Sequence, residues 1–410
     1  MKHQIQMKER NERMRVLSIQ PFFHGPTISP SPGGRAIITH SLTQSMLNNG
    51  IDIRIFPHDE ASGEDILFKV NKHSSTLAYR SLPRPNEITK IKNFMLALKV
   101  TAARRSLKKF LKPLLEAIAF RRAVDEFSPD IVHMHNSRLH TVSSIIDKGR
   151  RPKIISTEHK LIEPKIVREY ANYDKVVFVS KFQKDEAQTF SPSISSRSEV
   201  IYNYASQEYH EHITSAALQK IVFLGSLNTI NKGFDVLVDS IQKYGLPYNY
   251  SLDVIGDGHL KPNFEKSLIS YLPNTKVRFL GRLSKRGNIE ILKDASLLIV
   301  PSRTEGFGNV YVEALCMGVP VIGFHKTINE LNFILEMKVG EPFDAFKEGP
   351  GDLFNKSKGI LSDPLFTDGY RAELSERSRK IFNFDRYRLD YLRLYNQLLN
   401  DNHSSRVQHL

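Results

Sequence analysis

The sequence predicts an α/β protein built from two doubly wound domains with parallel sheets, and three features support this prediction. The chain has 410 residues. It is longer than a chain that usually folds around a single hydrophobic core, which suggests two domains of roughly 200 residues each. Short β-branched apolar runs alternate with helix-compatible stretches along the whole chain. The series of runs begins again after a polar segment, 206–215, which marks the domain boundary.

The runs are apolar on both faces, which is typical of parallel strands buried beneath helices. In the first half they are 15–19, 52–56, 130–133, 153–156, 175–179 and 200–202. In the second half they are 220–224, 252–255, 277–280, 297–300 and 320–324. The predicted domains are therefore residues 1–210 and 211–384, with a C-terminal helix at about 385–405 that packs back on the first domain.

Composition narrows the class of protein. Hydrophobic residues make up 40% of the chain and charged residues 25%, as in a water-soluble globular protein. No apolar run reaches the ~18–20 residues of a membrane-spanning helix, and the polar N-terminal segment lacks the apolar stretch of a signal peptide. The single cysteine, Cys316, has no partner for an internal disulfide, which fits a reducing compartment. We therefore expect a cytoplasmic location.

The formal net charge of +14 favours an anionic partner: nucleic acid, an acidic membrane surface or a phosphorylated substrate. No known nucleic-acid-binding module is recognisable. Much of the charge lies in the basic stretch 88–122, which has one acid, Glu116, and these cations: Lys90, Lys92, Lys99, Arg104, Arg105, Lys108, Lys109, Lys112, Arg121 and Arg122. Interleaved apolar residues fit an amphipathic helix on the inner face of the membrane. A core-packed helix with a solvated basic face, interrupted at Pro113, fits equally well.

The most informative segment, 300–323, is predicted to form a strand, a glycine-bearing turn, a helix over about 309–317 and a second strand. Glycines in the turn let backbone N–H groups approach a ligand, and the start of the helix favours a phosphate group. Glu305 lies in the turn and Glu313 in the helix. Carboxylates at such a place accept hydrogen bonds from sugar and ribose hydroxyls.

This segment closely resembles the signature of the retaining glycosyltransferases of family 4, which have the GT-B fold. It has their Pro-Ser pair, a glutamate before Gly-Phe-Gly, a second glutamate before alanine, and Gly-x-Pro-Val. The resemblance extends over most of the chain and is dense from about 220 to 340. It implies two Rossmann-like domains facing each other across a cleft, with the donor site in the second. It also implies that Glu305 touches the donor sugar and that Glu313 holds the ribose.

A second segment resembles the diphosphate-binding loop of that family. Lys232, in Asn-Lys-Gly, matches the lysine that binds the donor diphosphate, where a cation offsets the charge that collects on the leaving group. The family usually has an arginine directly after the glycine of the first strand, and Ser226 stands at that position here. Arg303 is a candidate for the missing charge, and an ordinary surface arginine fits equally well.

The remaining matches are single residues. His159 follows a predicted strand and matches the family's histidine near the anomeric centre, while His133 and His135 match a pattern of less defined role. Their spacing is compatible with metal ligands, but no carboxylate or cysteine cluster completes a metal site. Arg282 either stacks on the base or is solvated. The resemblance assigns the donor site to Gly34, Gly225, Ser226, Lys232, Gly281, Arg282, Glu305, Gly306, Phe307, Gly308, Asn309 and Glu313.

The resulting prediction is an enzyme that transfers a hexose, with retention, from a nucleotide sugar to a saccharide or lipid-linked saccharide in bacterial surface polysaccharide synthesis. Glu305, His159 and Lys232 are its predicted catalytic residues. We expect no metal or other cofactor, because a lysine and helix N-termini can supply the positive potential. Two alternatives stay open: a sugar-nucleotide epimerase of the same fold, which needs no acceptor, and an anion-binding protein.

Overall fold

The computed structural model describes residues 14–21, 34–58, 120–135 except 122, 151–210 except 161 and 163, and 219–407 except 274. The chain divides into two compact units. The first comprises Met1–Val177, Ala187–Glu199 and Tyr391–Leu410, and the second comprises Phe178–Glu186 and Val200–Asp390. Each unit is centred on a parallel sheet and is described by itself.

The first sheet has six strands in the order β2-β1-β3-β4-β5-β6. The strands are β1 Arg15–Pro21, β2 Asp52–His58, β3 Ile131–His135, β4 Lys153–Glu158, β5 Lys175–Phe178 and β6 Ser198–Val200. The helices along this part of the chain are α1 Gly34–Asn48, α2 Pro164–Val167 and α3 Lys181–Phe190. Strand β1 pairs in parallel with β2 and β3, and β3 pairs in parallel with β4.

The second sheet has the order β12-β11-β10-β7-β8-β9, and its described pairings are parallel. Its strands are β7 Lys220–Leu224, β8 Ser251–Ile255, β9 Val277–Gly281, β10 Leu297–Val300, β11 Val321–Phe324 and β12 Gly340–Phe343. Its helices are α4 Phe234–Tyr244, α5 Lys261–Ile269, α6 Lys285–Leu292, α7 Asn309–Cys316, α8 His325–Leu335, α9 Pro350–Ser362 and α10 Asp368–Ile381. The last helix, α11 Phe384–Val407, contributes residues to both units.

The two-domain, parallel α/β architecture predicted from the sequence is confirmed. Strands β7 and β10 coincide with the predicted runs, and every residue of β10 and β11 is buried, as expected of strands covered on both faces. One boundary was wrong: β6 ends at Val200, so Ile201 and Tyr202 lie beyond the strand. Strand β12 was missed because Gly340 and Pro342, residues that disfavour strands, occupy half of it.

Helix α11 reaches the first sheet with its middle turns, through Tyr391 and Tyr395. The Tyr395 hydroxyl lies 2.6 Å from Nδ1 of His133, and the Tyr391 hydroxyl lies 3.0 Å from Oγ1 of Thr157. All four residues are buried. Among the helices that the structure describes, none is long and apolar enough to cross a membrane. Nearly all of the basic stretch 88–122 lies outside the described residues.

Candidate functional site

The second sheet has a topological switch point between β7 and β10, where the strand order reverses. Doubly wound sheets bind ligands beyond the carboxyl ends of the strands at such a point. The loop that follows β7 carries Lys232, and the loop that follows β10 carries Glu305. The topology therefore brings together two residues that the sequence assigned to the diphosphate and to the donor sugar.

Lys232 and Glu305 form a direct ion pair. The Lys232 Nζ lies 2.6 Å from Oε1 of Glu305, and the Ser302 hydroxyl donates to the same oxygen at 2.7 Å. The side chains are 25% and 10% exposed, so the pair is largely shielded from water. A second carboxylate oxygen of Glu305 has no partner in these two contacts, which leaves an acceptor for a ligand hydroxyl.

Reciprocal hydrogen bonds tie the two loops together beside this pair. Asn231 Nδ2 donates to the carbonyl of Thr304 at 3.1 Å, and the Thr304 hydroxyl donates to Oδ1 of Asn231 at 2.5 Å. The Arg303 amide donates to the Asn231 carbonyl at 2.8 Å. Gly233 has φ of +69°, and a β-carbon there would lie 2.0 Å from the carbonyl oxygen of Pro301. Only glycine allows the loops to approach this closely, so the geometry requires glycine directly after Lys232.

Arg303 is engaged in a separate ion pair. Its two terminal nitrogens donate to both oxygens of Asp235 at 2.9 and 2.7 Å, and one of them also contacts the carbonyl of Ile230. The hydrogen bonds to Asp235 raise the pKa of Arg303 further above its ordinary value. This bidentate pairing argues against the interpretation of Arg303 as the cation that replaces an arginine at Ser226.

Ser226 and Gly225 lie in the loop directly after β7. The Gly225 amide donates to the carbonyl of Ile255 at 3.0 Å, which anchors the loop to the end of β8. Ser226 is exposed, and its hydroxyl accepts from the amide of Asn228 at 3.3 Å. The side chain of Ser226 is therefore accessible to solvent.

The Gly-Phe-Gly turn leads into α7. Gly308 caps α7 with φ of +80°, and a β-carbon there would lie 2.4 Å from the ring of Tyr311. Gly306 accepts a 2.9 Å hydrogen bond from the Ser180 hydroxyl, and the side chain of Asn309 accepts one of 2.8 Å from Asn203.

Phe307, by contrast, directs its side chain into the core of the second unit. It is 2% exposed and packs against the rings of Tyr202 and Phe382. Its side chain therefore stabilises the turn, and any contact of this residue with a donor would have to come from its backbone.

Glu313 lies one helical turn into α7. Burial raises its pKa to about 7, against a hydrogen bond from Tyr209 and the positive charge of Lys285, which both favour the ionised form. Lys285 also lies 3.1 Å from the Ser206 hydroxyl and 3.3 Å from Oε1 of Glu208. Tyr209 carries no motif, so its contact with Glu313 had no signal in the sequence.

Gly281 ends β9 with φ of +66°, and the exposed Arg282 follows it. Strand β8 separates β9 from β7, so both residues lie at the ligand-binding edge of the sheet, two strands away from the Lys232 loop. In the first unit, Gly34 is the first residue of α1, and positions 31–33 of its glycine-rich loop lie outside the described residues.

His159 directly follows β4 and stacks on His135. The two rings lie 5.7 Å apart, with Nε2 of His159 3.4 Å from Nδ1 of His135. His133 is fully enclosed: besides Tyr395, it contacts the hydroxyl of Thr157 at 2.7 Å, and burial lowers its pKa to about 3. His133 is therefore a neutral structural histidine. Its contact with Tyr395 of α11 joins residues 262 positions apart in the sequence, so no local motif could have predicted it.

Within the described ranges, no group of three or more His, Cys, Asp or Glu side chains is placed to hold a metal ion.

Comparisons with known proteins match two family models to successive parts of the chain. Residues 32–206 match the family model described as "Glycosyltransferase Family 4", and residues 219–336 match the one described as "Glycosyl transferases group 1". An uncharacterized glycosyltransferase of Methanocaldococcus jannaschii is 29% identical over 235 residues, which is 55% of this chain and 60% of that protein. The chain thus spans less than two thirds of the length of the first curated relatives that it matches.

Two solved structures have folds similar to that of this chain. The lipopolysaccharide outer core galactosyltransferase WaaB, in its apo form, has a TM-score of 0.66 at 15% identity, covering 93% of this chain and 100% of its own. A protein of Anabaena, HepE, solved in complex with UDP-glucose, has a TM-score of 0.63 at 15% identity, covering 96% and 100%.

The two Rossmann-like units have the GT-B fold, and both halves of the chain are similar to glycosyltransferase families. Its first half carries the family 4 domain and its second half the group 1 domain, in which the Lys232–Glu305 pair lies.

Proposed function

We propose that this protein is a glycosyltransferase that transfers a hexose from a nucleotide sugar to a saccharide or lipid-linked saccharide, with retention of the anomeric configuration. The observation that carries the proposal is the Lys232–Glu305 pair at the switch point of the second sheet. The pair combines a cation for a leaving diphosphate with a carboxylate for a sugar hydroxyl. A second carboxylate, Glu313, lies in α7, the helix that follows the loop of Glu305.

In the proposed reaction, the acceptor oxygen bonds to the anomeric carbon on the face from which the diphosphate departs. The bond between that carbon and the diphosphate oxygen breaks, and its electron pair goes to the diphosphate. The diphosphate also takes the proton of the acceptor hydroxyl, so no separate protein base is needed. Lys232 stabilises the charge that grows on the diphosphate, because its positive charge is held at a largely buried position.

The other residues have supporting roles. Glu305 orients the sugar through its second oxygen, and Glu313 accepts the ribose hydroxyls. The family resemblance adds His159, of the first unit, as the group that supports the reacting sugar. The N-terminus of α7, with Gly308 as its cap, provides backbone N–H groups for the diphosphate.

The nature of the donor and acceptor is suggested by the solved neighbours. One was solved with UDP-glucose and another is a galactosyltransferase of the lipopolysaccharide outer core. Uridine diphosphate hexoses are therefore the donors to test first, and glycolipids of bacterial surface polysaccharides are the acceptors.

The test is release of nucleoside diphosphate by the full chain. UDP-glucose, UDP-galactose, UDP-N-acetylglucosamine and GDP-mannose are each supplied with and without a glycolipid extract, and the anomeric configuration of the product is read by NMR coupling. We expect release that depends on the acceptor and an α-linked product from an α-linked donor. Conversion of a donor into another nucleotide sugar without acceptor would support the epimerase instead, and an inverted product would overturn retention.

A further inference from the structure

Tyr311, in the first turn of α7, is a fully buried side chain to which neither the sequence motifs nor the proposed reaction assigns a role. Its hydroxyl donates to the carbonyl of Val300 at 2.7 Å and accepts from the amide of Phe324 at 3.1 Å. Val300 is the last residue of β10, and Phe324 is the last residue of β11. The hydroxyl therefore ties together the carboxyl ends of the two strands, at the point where the loop that carries Glu305 begins.

The ring of Tyr311 is enclosed between two glycines. A β-carbon on Gly308 would lie 2.4 Å from one edge of the ring, and a β-carbon on Gly323 would lie 2.3 Å from the other edge. Contacts this close exist only because both positions lack a side chain. Gly308 caps α7, so the ring supports the start of this helix while the hydroxyl holds the strand ends.

Two hydrogen bonds lead from Val300 to Glu305. The carbonyl of Val300 also accepts from the amide of Ser302 at 2.7 Å, which fixes the turn that leaves β10. The Ser302 hydroxyl then donates to Oε1 of Glu305 at 2.7 Å, and Ser302 is fully buried. Lys232 contacts the same oxygen at 2.6 Å. Ser302 therefore helps to determine which oxygen of Glu305 faces Lys232 and which one is presented to a ligand.

We propose that Tyr311 and Ser302 are positioning residues that hold the Glu305 carboxylate where it orients the donor sugar. The inference rests on the proposed function, in which Glu305 contacts that sugar. Both residues act through Glu305. Their effect on the rate can be large, because misplacement of an orienting group by about 1 Å can cost roughly a hundredfold.

This arrangement predicts that catalysis and nucleotide binding respond differently to substitution. Tyr311→Phe keeps the ring against Gly308 and removes only the hydroxyl, so kcat should fall about tenfold. The dissociation constant of the nucleoside diphosphate should change less than about twofold, because that product contains no hexose for Glu305 to orient. Ser302→Ala should give the same pattern.

The experiment makes two measurements on the full chain. One is acceptor-dependent release of nucleoside diphosphate from the donor that the parent uses best, and the other is isothermal titration with that nucleoside diphosphate. The matched control is Tyr370→Phe, which also removes a tyrosine hydroxyl that donates to a backbone carbonyl, that of Lys338. Its kcat should stay at the parent value even if its Tm falls.

A double variant tests whether the hydroxyl acts through Glu305. In Glu305→Gln, adding Tyr311→Phe should cause little further loss of kcat, because the carboxylate that it positions is already gone. Equal losses in this background and in the parent would overturn the inference. Weaker nucleotide binding with parent-like kcat would overturn it too, since it would assign the hydroxyl to the start of α7.

The remaining outcomes separate this inference from the proposed function. Parent-like kcat in Ser302→Ala, or in a Tyr311→Phe variant that folds, would overturn the inference and leave the proposed function intact. If thermal unfolding shows that Tyr311→Phe does not fold, Ser302→Ala carries the test. Absence of transfer by the parent with every donor tested would contradict the proposed function, and this inference would fail with it.

Discussion

The Lys232 ammonium and the Glu305 carboxylate, 73 residues apart in the chain, are joined by a 2.6 Å contact. Each of these charges is therefore neutralised by the other. In the proposed reaction, a donor diphosphate shares Lys232 with Glu305, and a donor sugar binds the Glu305 oxygen that Lys232 does not contact. Removing either residue should thus have an effect on its partner as well as on the substrate.

Alanine substitutions of Glu305 and Glu313 should affect different kinetic quantities. Glu305→Ala should lower kcat strongly and leave UDP affinity unchanged or higher, because Lys232 then loses its competing partner. Glu313→Ala should mainly weaken UDP binding, since the ribose is held equally in the ground and transition states. Steady-state kinetics and UDP titration measure both effects, with the exposed Glu376→Ala as the control. Parent-like transfer by both variants would show that the site is assigned wrongly.

Lys232 should be hard to replace because Ser226 stands where the family has an arginine. Loss of a charge-assisted contact to phosphate costs about 1.5–3 kcal/mol, so Lys232→Ala should lower kcat/KM by roughly tenfold to a hundredfold or more. Ser226→Arg should restore part of this loss, since the exposed loop position leaves room for a longer side chain. The comparison is transfer rate and UDP affinity of the single and double variants. A double variant no better than Lys232→Ala would contradict this account.

Arg303 provides the control for that prediction. Both terminal nitrogens of Arg303 donate hydrogen bonds to Asp235, so Arg303→Ala and Asp235→Asn should have similar effects. Each should lower the Tm. Each should also lower kcat, because the ion pair helps to anchor the loops that carry Lys232 and Glu305. UDP affinity should change little in either. If Arg303→Ala alone abolishes UDP binding, Arg303 is a diphosphate ligand after all.

His133 should make the first unit sensitive to acid. Burial lowers its pKa from the ordinary 6.5 to about 3. Below pH 6.5 this histidine is therefore protonated in the unfolded chain while it stays neutral in the folded chain. Its contribution to stability is complete above that pH and falls by about 1.4 kcal/mol per pH unit below it. His133→Asn should therefore show a shallower loss of stability between pH 6.5 and pH 4 in urea unfolding. The exposed His259→Gln should unfold with the pH profile of the parent.

The basic stretch should bind acidic lipid. Replacing Arg104, Arg105, Lys108 and Lys109 by glutamine should weaken binding to phosphatidylglycerol vesicles, since each cation near such a surface contributes about 1 kcal/mol. The matched control replaces four exposed lysines of the second unit, Lys266, Lys347, Lys358 and Lys380. Vesicle flotation at fixed ionic strength separates the two. Equal losses in both variants would indicate attraction to net charge alone, without a docking segment.

Much of the fold was predictable because its signals are local. Apolar runs of four or five residues mark strands that are buried on both faces, as the fully buried β10 shows. Strand β12 carries no such signal, because Gly340 and Pro342 interrupt it and its pairing with β11 holds it in place. The motif around Glu305 and Glu313 was equally visible, since both residues belong to one contiguous strand-turn-helix segment.

The sequence alone thus determined the class of fold, and it predicted the segments of the donor site and the charged residues in them. Only the tertiary structure decided which charges meet. Arg303 pairs with Asp235 across 68 residues, and His133 meets Tyr395 across 262, because sheet order and helix packing bring together segments that share no local pattern. The protonation of Glu313 was decided in the same way. Burial raises its pKa, whereas Tyr209 and Lys285 favour the ionised form, and these residues are neighbours only once α6, α7 and the 3-10 turn Gln207–His210 have packed together.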